Sequence, residues 1–110
     1  MNHDSAYLFD MLQSAEFAVN YLQNVEYQDF AGNKLLQDAV LRRIEIVGEA
    51  SHRITAQTKV KYNKFAWKEM RNVRNYILHI YSELNPEEIW NTVKNEFPEL
   101  IKQLKEIIKD

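Results

Sequence analysis

The sequence contains no cysteine. That absence removes a disulfide framework, a thiolate nucleophile and any cysteine metal site, and it favours a reducing cytoplasm as the working compartment. Only two glycines and two prolines interrupt 110 residues, too few for a turn-rich β fold. No run of about 18 apolar residues occurs, so no membrane span is expected. The opening residues MNHDSAYLFD also lack the basic segment and apolar core of a signal peptide. Neither sign of charge dominates: 14 Lys and Arg against 16 Asp and Glu give a formal charge of −2, which does not announce a nucleic-acid binder. A glycine-rich phosphate loop, an internal repeat and a low-complexity segment are all missing. A chain of this length fits one domain, residues 1–110, small enough that a second subunit would help its stability.

What is present is apolar spacing at three- and four-residue steps, the period of helices with one buried face. Leu8, Met11, Leu12, Ala15, Ala18, Val19 and Leu22 predict a first helix beginning at Asp4 or Ser5, either of which can cap it, and ending near Asn24. Tyr7, Phe17 and Tyr21 form a second apolar strip, read either as wider burial or as a dimer surface. Residues 26–32 are a connector with one turn of helix around Tyr27 to Phe30, whose aromatics can plug the end of a bundle. From Gly32 and Asn33 a second helix carries Leu36, Ala39, Val40, Ile44, Val47 and Ala50 on one stripe. Leu35, Ile46 and Ile54 widen that stripe, so this helix is expected between two neighbours. Gly48 inside it costs about 1 kcal/mol against alanine, which a close helix crossing explains. Glu49 is either an exposed carboxylate or a brace for an arginine of the next long helix. Residues 55–64 are the longest polar stretch and read as a basic loop, either a plain connector or a contact for RNA or a partner. Asn85, Pro86, Glu87 and Glu88 then open a last helix, in which Pro98 predicts a kink or break. The expected architecture is all-α, an antiparallel four- to five-helix bundle.

The stretch 66–84, AWKEMRNVRNYILHIYSEL, combines packing with chemistry. Ala66, Met70, Val73, Ile77, Ile80, Tyr81 and Leu84 form its apolar stripe, yet Arg71, Arg74, Asn75 and His79 share the helix. Each residue advances about 100° around the axis, so Asn75 and His79 lie on nearly one line while Arg74 and His79 diverge. One straight helix therefore cannot close both on a small group. A second copy of the helix could, and so could a polymer lying across it. Between Lys59 and His79 six basic residues face one acid, Glu69, and this window can present a positive surface on an acidic protein.

Arg74-Asn75-Tyr76-Ile77-Leu78-His79-Ile80-Tyr81 resembles the Arg-x4-His-x-Tyr signature of the HEPN superfamily, and more narrowly the HepT-like toxins encoded beside a minimal nucleotidyltransferase. Residues 38–50, ending in Gly48-Glu49-Ala50, are similar to that family's second helix. Trp67, the run Trp90-Asn91-Thr92-Val93 and the run Phe97-Pro98-Glu99-Leu100 also fit its pattern. A second Arg-Asn pair, Arg71-Asn72, precedes the signature, but only Arg74 has four residues before His79.

The resemblance implies a dimeric HEPN bundle that cleaves RNA without a metal or other cofactor, in the cytoplasm and away from membranes. A free imidazole titrates near about 6.5, so His79 could act as acid or base at neutral pH. Arg74 offers a permanently charged planar fork to phosphate oxygens, with Asn75 and Arg71 in support. Tyr81 could stack on a base. By the resemblance, Tyr81 is also the group to which a cognate nucleotidyltransferase antitoxin attaches AMP, silencing the toxin. The alternative is a non-catalytic subunit that uses the same helix to hold a nucleotide or substrate for that nucleotidyltransferase.

Overall fold

The computed structural model describes residues 3–80 and 85–109, with side chains described throughout except at 75–80. Every regular element among them is helical. In order these are α1 (Asp4–Tyr21), α2 (Tyr27–Ala31), α3 (Lys34–Arg53), α4 (Ala56–Lys61), α5 (Trp67–Ile80), α6 (Pro86–Asn91), a π-helical stretch (Thr92–Glu96) and α7 (Phe97–Lys109). The last three run on without interruption, so the fold consists of four long rods and two short helices. The expected all-α bundle is what forms. No helix of the described residues is long and apolar enough to cross a membrane.

The rods assemble because their apolar stripes face one another. Met11, Ala15 and Ala18 of α1, Val40 and Val47 of α3, Val93 of the π stretch, and Phe97 and Leu104 of α7 are buried together. α3 packs on both α1 and α5, the central position its wide stripe predicts. Leu35 is the exception: expected to widen the stripe, it is 82% exposed, because Leu36 and Gln37 take the inward positions of the same turn. Contacts between named residues fix the directions. Arg43 donates to the Tyr21 hydroxyl at 3.3 Å and Asp4 meets Thr55, so α1 and α3 are antiparallel. Lys94 donates to the Leu22 carbonyl at 2.9 Å while Lys105 lies 3.6 Å from Glu16, so α7 also runs against α1. Arg43 also sits 4.5 Å above the Phe17 ring, so one face of the second apolar strip is covered from within the chain.

Several local expectations hold for the reasons given. α3 starts at Asn33 as expected, and there the Asn33 side chain caps it by accepting from Leu36 N–H at 3.0 Å. Asn85 caps α6 by accepting from Glu87 and Glu88 N–H groups, with Pro86 in the first turn. Phe30 plugs the bundle end and packs against Trp90, as Tyr27 does from the rim.

Three boundaries differ from expectation. α1 ends at Tyr21, and Asn24 instead takes φ 61°, the left-handed conformation asparagine tolerates in turns. Residues 55–64 are not all loop, because Thr55 caps the six-residue helix α4 by accepting from Thr58 N–H. Pro98 does not break its helix. The π-helical stretch just before it widens the backbone where, in a regular α-helix, the proline ring would strike the Lys94 carbonyl.

Asp4 does not cap its own helix. α1 begins after His3 without a side-chain cap, and the Asp4 carboxylate reaches across the sequence. It accepts from Thr55 N–H at 3.1 Å, from the Thr55 hydroxyl at 2.6 Å and from the Thr58 hydroxyl. Burial opposes its charge, but the Thr55 and Thr58 hydroxyls, the Thr55 N–H and the nearby Lys59 charge outweigh burial and hold the Asp4 pKa below its ordinary value. One buried carboxylate thus joins the start of α1 to the start of α4.

Candidate functional site

The candidate residues sit on α5, whose orientation is set by Met70 and Val73 in the core. Counting from these at about 100° per residue, positions 70, 73, 77 and 80 follow the inner line. Positions 68, 71, 75 and 79 follow the outer line, on the opposite side of the helix. Position 74 falls between the two, on the flank facing α3.

That flank is where the helices come closest. A Cβ built on Gly48 would stand 3.3 Å from both Cα and Cβ of Arg74 and 3.5 Å from its backbone N. The glycine of α3 therefore lies directly against the backbone of the motif arginine, the close crossing its sequence position predicts. The next residue, Glu49, places Oε1 3.4 Å from Arg74 Nε. Both members are partly exposed, with 29% of the arginine side chain and 48% of the glutamate side chain open to solvent. A pair so exposed contributes little to stability, and its carboxylate lies against one edge of the guanidinium. The Nε atom itself is shielded and has no hydrogen-bond partner, because the Glu49 contact is an ion pair without hydrogen-bond geometry. The carboxylate thus steers one edge of the fork through charge alone. The two open descriptions of Glu49 are both true of it: it is solvent-facing and it braces the arginine.

Of the other candidates, Arg71 is exposed, as is Lys68 one turn earlier on the outer line. Asn75 and His79 lie on the α5 backbone at the expected one-turn spacing, while Tyr81 lies outside the described residues. By register, positions 74 and 79 are separated by about 140° around the axis. The divergence expected from spacing persists, since α5 is a regular helix through both positions. On the far flank of α5 a groove of about 310 Å³ is lined by Glu69, Asn72 and Val73, with Glu88, Thr92 and Glu96 from the last rod. It is acidic, in contrast with the outer line. No group of three or more His, Asp or Glu side chains among the described residues is arranged to hold a metal ion.

Sequence comparison bears on the same region. The profile of the family described as Ribonuclease HepT-like matches residues 11–107. A protein of Methanocaldococcus jannaschii bearing the name "Putative RNase" is 35% identical over 105 residues, 96% of this chain and 87% of that one. Another so named, from Caldanaerobacter subterraneus subsp. tengcongensis, is 36% identical over 103 residues, 94% of this chain and 92% of its own. A "Probable ribonuclease HepT" of Thermococcus cleftensis is 33% identical over 94 residues, covering 86% of each chain. No solved structure gives a significant match.

Proposed function

The chain belongs to the HepT-like ribonuclease family, and on that premise we propose that it is a metal-independent endoribonuclease whose chemistry is carried by Arg74 and His79. The observation that carries the proposal is the treatment of Arg74. A bundle needing only a solvated arginine there has no use for a glycine against its backbone and a carboxylate 3.4 Å from its Nε. Such bracing pre-orients a phosphate-binding fork before substrate arrives.

In the proposed reaction a base removes the proton from a ribose 2′-oxygen, which bonds to the adjacent phosphorus as the bond from phosphorus to the 5′-oxygen breaks. An acid returns a proton to that leaving 5′-oxygen, giving a 2′,3′-cyclic phosphate and a 5′-hydroxyl. Arg74 stabilises the charge that grows on the phosphate oxygens, and His79 transfers protons. Asn75, one turn before His79, steadies the imidazole or a phosphate oxygen, and Arg71 adds positive charge along the outer line. The angular separation of positions 74 and 79 favours a homodimer, in which the arginine of one chain works beside the histidine of the other. Two histidines could then divide the acid and base roles.

The regulatory part of the proposal is that the enzyme is a toxin restrained by a cognate minimal nucleotidyltransferase, which transfers AMP to Tyr81. That residue follows His79 by two positions, so a bulky anionic nucleotide there would repel and obstruct RNA.

The test is cleavage of a labelled structured RNA in EDTA by the purified protein beside His79→Ala and Arg74→Ala. Cleavage by the parent alone supports the assignment. Activity surviving in His79→Ala removes that residue from it, and a dimeric, unmodified parent that fails on several RNAs moves the protein to the non-catalytic binding role.

A further inference from the structure

We propose that the cleft between residues 61–65 and α7 binds a single-stranded segment of RNA flanking the scissile phosphate. This rests on the RNA-cleaving function above and gives the same substrate a second contact region. The cleft, about 810 Å³, is the place on an acidic chain where positive charge converges from two directions. Lys61 comes from the end of α4 and Lys64 from the turn after it, and Lys102 and Lys109 come from α7. Glu99 and Glu106 are the acidic residues of its lining, so lysines outnumber carboxylates two to one.

Charge alone would suit any anion, but the apolar lining narrows the class. Tyr62, Phe65 and Ile107 contribute to the walls, and the aromatic segment is stiff. Phe65 packs on Trp67 with ring centroids 4.5 Å apart, and Trp67 Nε1 donates to the Tyr62 carbonyl at 2.9 Å. Aromatic rings beside lysines are how single strands are held, since every base has a face to stack and every linkage a charge to neutralise. Gln103 adds a polar group of the right kind. Its Nε2 donates to Glu99 at 3.2 Å, while its Oε1 is shielded and has no hydrogen-bond partner. A base N–H or a ribose 2′-hydroxyl could supply the missing donor after a small side-chain rotation.

The cleft is also continuous in sequence with the outer line of α5. Lys64 lines it, Lys68 and Arg71 are the next exposed cations, and positions 75 and 79 follow on the same side. From position 68 to position 79 the helix rises about 17 Å, a distance that several nucleotides bridge. The groove on the far flank of α5, with Glu69, Glu88 and Glu96 in its lining, repels a polyanion and leaves the basic side as its path. An acidic protein segment would satisfy the lysines but would leave the aromatic wall and the α5 line without a role.

The test measures binding of an end-labelled, unstructured RNA of about 20 nucleotides across a salt series, by fluorescence anisotropy. The full chain carries His79→Ala to prevent cleavage. In that background Lys102→Glu with Lys109→Glu is compared with Lys34→Glu plus Lys105→Glu, the same charge change outside the cleft lining; Lys34 pairs with Asp38 and Lys105 with Glu16. The cleft variant is expected to lose at least tenfold in affinity and to flatten the salt slope by about 1.4, the share of two single-strand phosphate contacts. Tyr62→Leu should weaken binding several-fold with the slope unchanged, as loss of stacking without loss of charge.

Equal losses in cleft and control variants, or no loss in either, overturn the cleft while parent cleavage in EDTA leaves the ribonuclease function standing. Loss of binding in Lys102→Glu/Lys109→Glu with Tyr62→Leu indifferent overturns the single-strand mode in favour of simple charge attraction. If the cleavage-competent parent neither cuts nor binds RNA, both proposals fall together.

Discussion

Adding a single methyl group at Gly48 would test whether the α3–α5 crossing positions Arg74. The new Cβ would stand 3.3 Å from two carbons of Arg74, whereas carbons in comfortable contact lie about 3.5–4.0 Å apart. Neither carbon belongs to a flexible side-chain end that could swing aside, so the helices must part by a few tenths of an ångström. Two effects compete. Alanine gains about 1 kcal/mol of helix propensity over glycine, and overpacking a tight contact costs about 1–3 kcal/mol. Taking the middle of that range, Gly48→Ala should lose about 1 kcal/mol net, a fall in Tm of about 4 °C for a domain of this size.

The effect on activity should be larger than so small a loss suggests. A misplacement of about 1 Å can cost a hundredfold in rate, so a shift of a few tenths should cost several-fold in kcat/KM under conditions where both proteins are fully folded. Urea unfolding and RNA cleavage measured side by side give both numbers. A Gly48→Ala protein that is more stable by about 1 kcal/mol and cleaves at the parental rate would refute the reasoning, because the full propensity gain would then appear with no steric cost.

Other substitutions probe the remaining joints. Asp4→Ala should destabilise the protein by about 2–3 kcal/mol in chemical denaturation, since it removes charge-assisted hydrogen bonds to Thr55 and Thr58. Because folding lowers the Asp4 pKa, that contribution is complete above the unfolded carboxyl's value of about 3.9 and is lost as pH falls through the lower folded value. The stability gap between parent and Asp4→Asn should accordingly close in strong acid and persist at neutral pH. Glu49→Gln should leave stability within about 0.5 kcal/mol yet slow RNA cleavage several-fold by freeing the Arg74 fork; unchanged cleavage would show that the pair does not orient it. Phe97→Ala, in a fully buried position, should cost about 3–5 kcal/mol in urea unfolding.

How much of this was legible beforehand depended on the range of the forces involved. Helix periodicity, the start of α3 at Asn33, the Asn85 cap and the need for a close approach at Gly48 are local facts of backbone geometry, readable within a turn or two of the residue concerned. The line through positions 71, 75 and 79 is likewise fixed by helical pitch once α5 forms. Residues that act through partners distant in the chain were another matter. Asp4 looked like a cap for its own helix, and nothing within four residues of it hints that its partners are Thr55 and Thr58. Pro98 by itself predicts a kink or break but not which, because sequence reports the lost hydrogen bond and not the packing of Val93 and Phe97 that keeps the rod continuous.

The sequence by itself therefore determined the long helices, their inner faces and the residue types available for phosphate chemistry, since these follow from pitch, burial and side-chain charge. Only the tertiary structure decided which groups meet. It set Glu49 beside Arg74 and brought the lysines of α7 to face those after α4. Both meetings depend on how rods pack side by side, and packing joins residues whose separation along the chain carries no record of it.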